Sequence, residues 1–399
     1  MSYSSLIAKI KIFLTKNIIP YLFFILTIII AYLVIDRKMR SSNDVMTNDT
    51  IKEEHDIEDQ YKISQKINLN LSSSLIDEKT RQKILQINEF IDQGRWIPAM
   101  KNMENLIDEN SKVDDEIILT LVYLRYKTND LENGLNDLKK LGSLKTPRYY
   151  YNQGLLFSKH PSTYPEAVRF FEKYMESEKS SGGVFKIIGH LHNQMGHHDQ
   201  AILYYKKAIE FNKEDALAYF NLGLAYNQVS RYDNAISSYL NAIHFKKDFI
   251  EAYDNLSHVY KIRGDMKNAI NILDSGSKIT NDLRLKNKLA HCLESSGENI
   301  KAQILYTEIL QQDPGNEDAL FNFSRLFFDL KDYDSSMKYI QLYLSKNPKN
   351  FEARYILMVD AYHLGKFDLA YNQWEILDRE SPNYRDIADY RVKIILNMN

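Results

Sequence analysis

Four histidines fall within nine residues, at His190, His192, His197 and His198. Imidazoles so crowded raise the question of a metal ion. On a helix, however, His190 and His192 point ~200° apart and cannot share one ion. No carboxylate or thiolate stands at a recognisable ligand spacing beside them. These histidines are expected to pack and to meet solvent, with no metal and no cofactor. Cys292 is the single cysteine, so neither an internal disulfide nor a multi-cysteine site can form. The chain has no Gly-rich phosphate loop, no H-E-x-x-H and no nucleophile elbow, and no enzyme activity is expected. With 51 basic and 53 acidic residues there is no basic excess for gripping phosphate, so nucleic acid is not an expected partner.

Two other groups of side chains suit binding. Asn152, Asn221, Asn255 and Asn322 each stand two residues before a small residue. An amide both donates and accepts, so a row of them can pair with the backbone of an extended peptide. The plain alternative is local bonding within the fold. Phe321 and Phe328 are seven residues apart, as are Tyr355 and Tyr362. Seven residues is two helical turns, which puts each pair on one face. Adjacent exposed rings make effective binding anchors. The alternative here is that the rest of the fold covers them.

The elements that would position these residues repeat along the chain. Around Tyr219, Leu222, Gly223 and Tyr226, followed by Ala235, Tyr239 and Ala242, the pattern has a period of about 34 residues. One period earlier the same slots hold Phe185, Ile188, Gly189, His192, Ala201, Tyr205 and Ala208; one later they hold Tyr253, Leu256, Ser257, Tyr260, Ala269, Leu273 and Gly276. Large residues three or four apart mark a helix face. Small ones mark close helix approaches. Gly196, Gly264, Gly297 and Gly365 fall where two helices turn. A late proline, as at Pro314, Pro348 and Pro382, ends the second helix. No unit can bury its apolar stripe alone, so neighbours must stack.

These residues resemble the tetratricopeptide repeat family, whose pattern is W-x2-L-G-x2-Y…A-x3-F…P. Units starting near Gly182, Ala216, Ile250 and Glu317 match it closely. Those near Leu283 and Phe351 match well, and residues 147–181 match with one extra residue in the turn. Gly94-Arg-Trp96-Ile-Pro-Ala99 fits a degenerate unit from about Thr80, and a weaker one follows over residues 114–146. The resemblance implies an all-α, right-handed superhelical solenoid whose first helices line a concave groove. It places two degenerate units over 80–146, seven units over 147–384, and a capping helix over 385–399, with Ile387, Tyr390 and Ile394 on one face. Some relatives grip a carboxylate with Lys and Asn in set groove slots. Here Lys186, His190 and Asn221 supply part of that arrangement, but Glu251 and Asn255 follow where basic residues are needed.

Ahead of the repeats, the stretch IIPYLFFILTIIIAYLVI starts at Ile18, ends at Ile35 and carries no charge. Eighteen helical residues span ~27 Å, about one hydrocarbon core. A basic tail over 1–17 precedes it and a polar, acid-rich linker over 36–79 follows. No small-residue cleavage site succeeds it, so a retained single-pass transmembrane helix is expected. Lys and Arg flank both sides almost equally. A short N-terminal tail slightly favours the N-terminus in the cytoplasm and the repeats outside it. The expected function is a membrane-anchored adaptor or assembly scaffold that binds proteins or peptides in its groove. Alternatives are a self-associating structural scaffold or a regulatory subunit of an enzyme or secretion complex.

Overall fold

The computed structural model describes residues 78–398 apart from 110–114, 143–144, 178–181, 382–383 and 385–386. The expected transmembrane segment and linker lie outside the described residues. Within them no helix is long and apolar enough to cross a membrane. Nineteen α-helices and one short 3-10 turn account for the secondary structure, with no strand among the described residues.

The chain divides into two compact units. The first contains α1 (Glu78–Asp92), α2 (Trp96–Glu109), α3 (Asp115–Lys127), α4 (Leu131–Lys140) and α5 (Pro147–Phe157). It also takes the later part of α6 (Tyr164–Ser177), from Arg169 onward. Its core joins Ile84, Ile87 and Ile91 of α1 to Met103 and Leu106 of α2 and Leu121 and Leu124 of α3. Helix begins at Glu78, two residues before the boundary expected at 80. The boundary between the two units falls within the stretch expected to hold seven repeats, 147–384, with residues 160–168 in the second unit and 169–177 in the first. There the turn between α5 and α6 takes an extra 3-10 segment, Pro161–Thr163.

The second unit is a run of helix pairs. First helices are α7 (Gly182–Gln194), α9 (Ala216–Gln228), α11 (Ile250–Ile262), α13 (Leu283–Ser295), α15 (Glu317–Asp329) and α17 (Phe351–His363). Their partners are α8 (His198–Phe211), α10 (Tyr232–Phe245), α12 (Met266–Thr280), α14 (Asn299–Gln312), α16 (Tyr333–Lys346) and α18 (Phe367–Glu380), and α19 (Ile387–Met398) closes the run.

Side-chain oxygens start four of the first helices. Asp215, Asp282, Asn316 and Asn350 accept from the backbone N–H of Ala218, Leu285, Ala319 and Ala353 at 2.9–3.1 Å. Two second helices, α14 and α16, stop two residues before Pro314 and Pro348. Within a pair, a glycine seats a ring. A Cβ at Gly189 would lie 2.8 Å from Tyr205 Cε1, and one at Gly223 only 2.6 Å from Tyr239 Cε1. Tyr205 and Tyr239 are correspondingly buried.

Candidate partner-binding groove

Each first helix of the second unit touches the first helix of the next repeat, through α7, α9, α11, α13, α15 and α17 in turn. Comparable contacts between successive second helices are absent among the described residues. The first helices therefore approach one another more closely than the second helices do and form a continuous wall along one side of this unit.

One register of that wall, 33 or 34 residues apart, holds His190, Leu224, His258, His291, Arg325 and Val359. Several of these side chains, with their neighbours, link one repeat to the next. Lys288 pairs with Asp254 of the preceding first helix. Arg325 Nη2 donates to His291 Nδ1 at 3.1 Å and to Glu294 Oε1 at 3.2 Å. Burial alone would raise the Glu294 carboxyl. The His291 ring, the Arg325 charge and the Tyr306 hydroxyl overcome it and hold Glu294 below the usual carboxylate range. His258 is exposed, and its affinity for a proton is lowered by partial burial and then by Lys261 and Lys288, with Asp254 opposing. Sequence reasoning missed this charged stretch. Its signal was present as a register in which the residue type changes from repeat to repeat.

The four asparagines do not form a uniform ladder. Asn152 is 1% exposed and donates to the carbonyl of Leu119 at 2.7 Å, while its own Oδ1 has no partner. Asn221 is buried as well. Asn255 donates to Glu251 O one turn back in its own helix, and Asn322 Nδ2 lies 3.4 Å from Asn287 Oδ1. Two of the four thus tie helices together within the fold, and one makes a local bond.

The aromatic pairs converge, but unequally. Phe321 is half-buried against Tyr343, with ring centroids 5.1 Å apart. Phe328 packs on both of the last two core clusters. Tyr355 is only 8% exposed and forms part of the core, edge-on to Tyr384 and Tyr390 at 6.1 and 6.2 Å. Tyr362 meets Tyr390 edge-on at 5.6 Å and stays half-exposed. The open wall expected at Tyr355 is thus closed by α19, which buries Ile387 and Ile394 and sets Tyr390 against both tyrosines.

Lys186, part of the incomplete carboxylate arrangement, is also claimed by the fold. Its side chain is buried and its Nζ lies 2.7 Å from Asp215 Oδ2, the carboxylate that also caps α9. A ligand carboxylate would have to displace that partner. In the histidine run, His192 stacks on Tyr204 at 5.5 Å and His198 Nδ1 bonds Asn193 Oδ1 at 2.8 Å.

Three models of the tetratricopeptide repeat match this chain, over residues 189–229, 216–248 and 293–359. The matched segments of the second unit are thus tetratricopeptide repeats. The fold is similar to that of the C-terminal part of a repeat-containing protein of the same kind from Cytophaga hutchinsonii. That protein is 16% identical, with 60% of this chain and 99% of that one covered and a TM-score of 0.52. YrrB, described as a TPR protein with an unusual peptide-binding site, is 23% identical over 49% of this chain and 97% of its own, with a TM-score of 0.39. PilF of Pseudomonas aeruginosa is 16% identical over 53% and 97%, with a TM-score of 0.44. At such identities the likeness concerns the fold alone. No curated protein matches the chain.

Proposed function

We propose that this chain is a membrane-tethered tetratricopeptide adaptor that holds a partner protein or peptide along the wall of its first helices, in a binding and not a catalytic role. One observation carries the reading. The slot that stacks the helices of a repeat keeps a small residue throughout, at Ala201, Ala235, Ala269, Ala302, Ser336 and Ala370, all fully buried. The wall register runs instead through His190, Leu224, His258, His291, Arg325 and Val359. Leu224 and Val359 are buried, whereas His190, His258, His291 and Arg325 lie outside the buried core and are available to recognise something outside the chain. The half-exposed rings of Phe321, Phe328 and Tyr362 extend the wall toward its C-terminal end, and Tyr355 supports them from beneath.

Site-specific photo-crosslinking in the native cell tests this. A crosslinker at His258 or Lys261 on α11 should capture a discrete partner. One at the exposed Lys267 on α12 should not. Equal capture at all three positions would sink the groove assignment. The tether rests on the uncharged run from Ile18 to Ile35. The full chain should stay with membranes through a carbonate wash, and a chain lacking the first 40 residues should not.

A second reading is self-association, which one observation favours. The outer side of α19 exposes Val392 at 60% and Leu396 at 72%, although a terminal repeat ordinarily needs a polar outer face. Sedimentation of the soluble chain should then depend on concentration, and Leu396→Lys should abolish that dependence.

A further inference from the structure

A carboxyl occupies a position where the other repeats carry apolar residues. Asp360 lies on α17, and the same register of the preceding first helices holds Leu191, Ala225, Val259, Cys292 and Leu326, all buried. Asp360 is itself 0% exposed. The facing helix α16 departs from the pattern in the same place. Ser336, also 0% exposed, stands where the other second helices have Ala201, Ala235, Ala269, Ala302 and Ala370. Neither carboxylate oxygen of Asp360 has a hydrogen-bond partner, and neither has Ser336 Oγ. A buried charge without partners is costly enough that such a group keeps its proton.

The surrounding charges do not relieve it. Asp332, which caps α16, acts on Asp360 and disfavours a second negative charge. Lys366, ahead of α18, turns to Met337 Sδ at 3.9 Å. Arg354 on α17 donates to Gln373 Oε1 on α18 at 2.9 Å. On α15, Arg325 is engaged by Glu294 and His291, and burial raises the Asp329 carboxyl. Lys393 on α19 lies over the Tyr390 ring, 5.0 Å from its centroid. Among the described residues, no cation acts on Asp360.

We propose that Asp360 is a proton-controlled latch between the last two full repeats: protonated, it lets α17 seat on α16, and ionised, it loosens α17–α19 from the repeat before them. Burial pushes its carboxyl from the ordinary 3.8 up to about 7, with Asp332 adding and the nearby Ser336 hydroxyl opposing, although the two side chains share no well-formed hydrogen bond. The seated state therefore holds a proton that an opened state has released. Stability is lost as pH rises from 3.8, and the loss levels off above about 7. The opening equilibrium should grow about tenfold between pH 6 and pH 8. Because Phe328 of α15 packs on both of the last two core clusters, the latch governs how far that ring is covered. That consequence alone rests on the binding role proposed above, and the latch can be measured with no partner present.

Hydrogen exchange on the full chain at pH 6 and pH 8, corrected for intrinsic chemical exchange, tests it. In the native protein, peptides from α17 and α18 should open about tenfold more at pH 8, while those from α9 and α10 stay level. Asp360→Asn keeps the shape without the charge, and Asp360→Ala installs the residue found at Ala225. Both should remove the pH difference. A native protein with no such difference would overturn the latch. So would a difference that persists in a folded Asn or Ala variant.

Discussion

Gly223 and Tyr239 share a space that admits one side chain. A Cβ on Gly223 would stand 2.6 Å from Cε1 and 2.7 Å from Cδ1 of a ring that is fully buried and cannot swing away. Gly223→Ala should cost about 1–3 kcal/mol by overpacking, and Gly223→Leu more, as read from urea unfolding. This constraint was legible in the sequence, because a small residue and a ring recur together at fixed spacing. Tyr355 was legible only in part. Its spacing from Tyr362 does put the two rings on one helix face. What spacing cannot show is that the chain more than twenty residues downstream folds back, placing Tyr384 and then Tyr390 of α19 on that face. Tyr355→Ala should accordingly act mainly on stability, by about 3 kcal/mol or more. The Lys186–Asp215 pair was hidden for a related reason: a lysine in a groove slot looks free until a cap from the following repeat claims it.

Among the elements, the turns separate what pattern shows from what it conceals. Gly196, Gly264, Gly297 and Gly365 take φ of 72–78°, as their spacing suggested. The same slot in two other repeats holds Ser230 and Lys331, at φ of 58° and 61°. No residue type announced a left-handed turn there. The stacking of neighbouring repeats imposes it, against a local preference of roughly 1 kcal/mol or more. Glycine relieves that strain but adds freedom to the unfolded chain. Lys331→Gly should therefore stabilise the array by about 0.5–1 kcal/mol, seen as a higher urea midpoint, and an unchanged or lower midpoint would count against an imposed turn. The closing helix makes an element-level prediction of its own. Ile394 is 0% exposed among Tyr355, Trp374 and Leu377, so Ile394→Ala should cost about 2–4 kcal/mol. Val392→Ala, on the exposed side of the same helix, should cost far less.

Across the whole molecule, stability should be a sum of repeats and their nearest-neighbour interfaces. The core is not one mass. One cluster joins α1, α2 and α3, and a separate one joins α17, α18 and α19. Each helix of the second unit packs on its sequence neighbours or on those two places away, so a defect can spread only through the stack. Leu377 on α18 is 0% exposed within the terminal cluster, and truncating it to alanine leaves a cavity worth about 2–5 kcal/mol. A single cooperative core would transmit that loss everywhere and raise hydrogen exchange uniformly. A repeat array confines it. Leu377→Ala should speed exchange strongly in α17, α18 and α19, weakly in α15 and α16, and not at all around Ile84, Ile87 and Ile91 of α1. The gradient is the diagnostic, since its length reports how many interfaces must open together. A uniform rise reaching α1 would show that the repeats act as one cooperative body, and nearest-neighbour stacking would then not describe how this chain holds its fold.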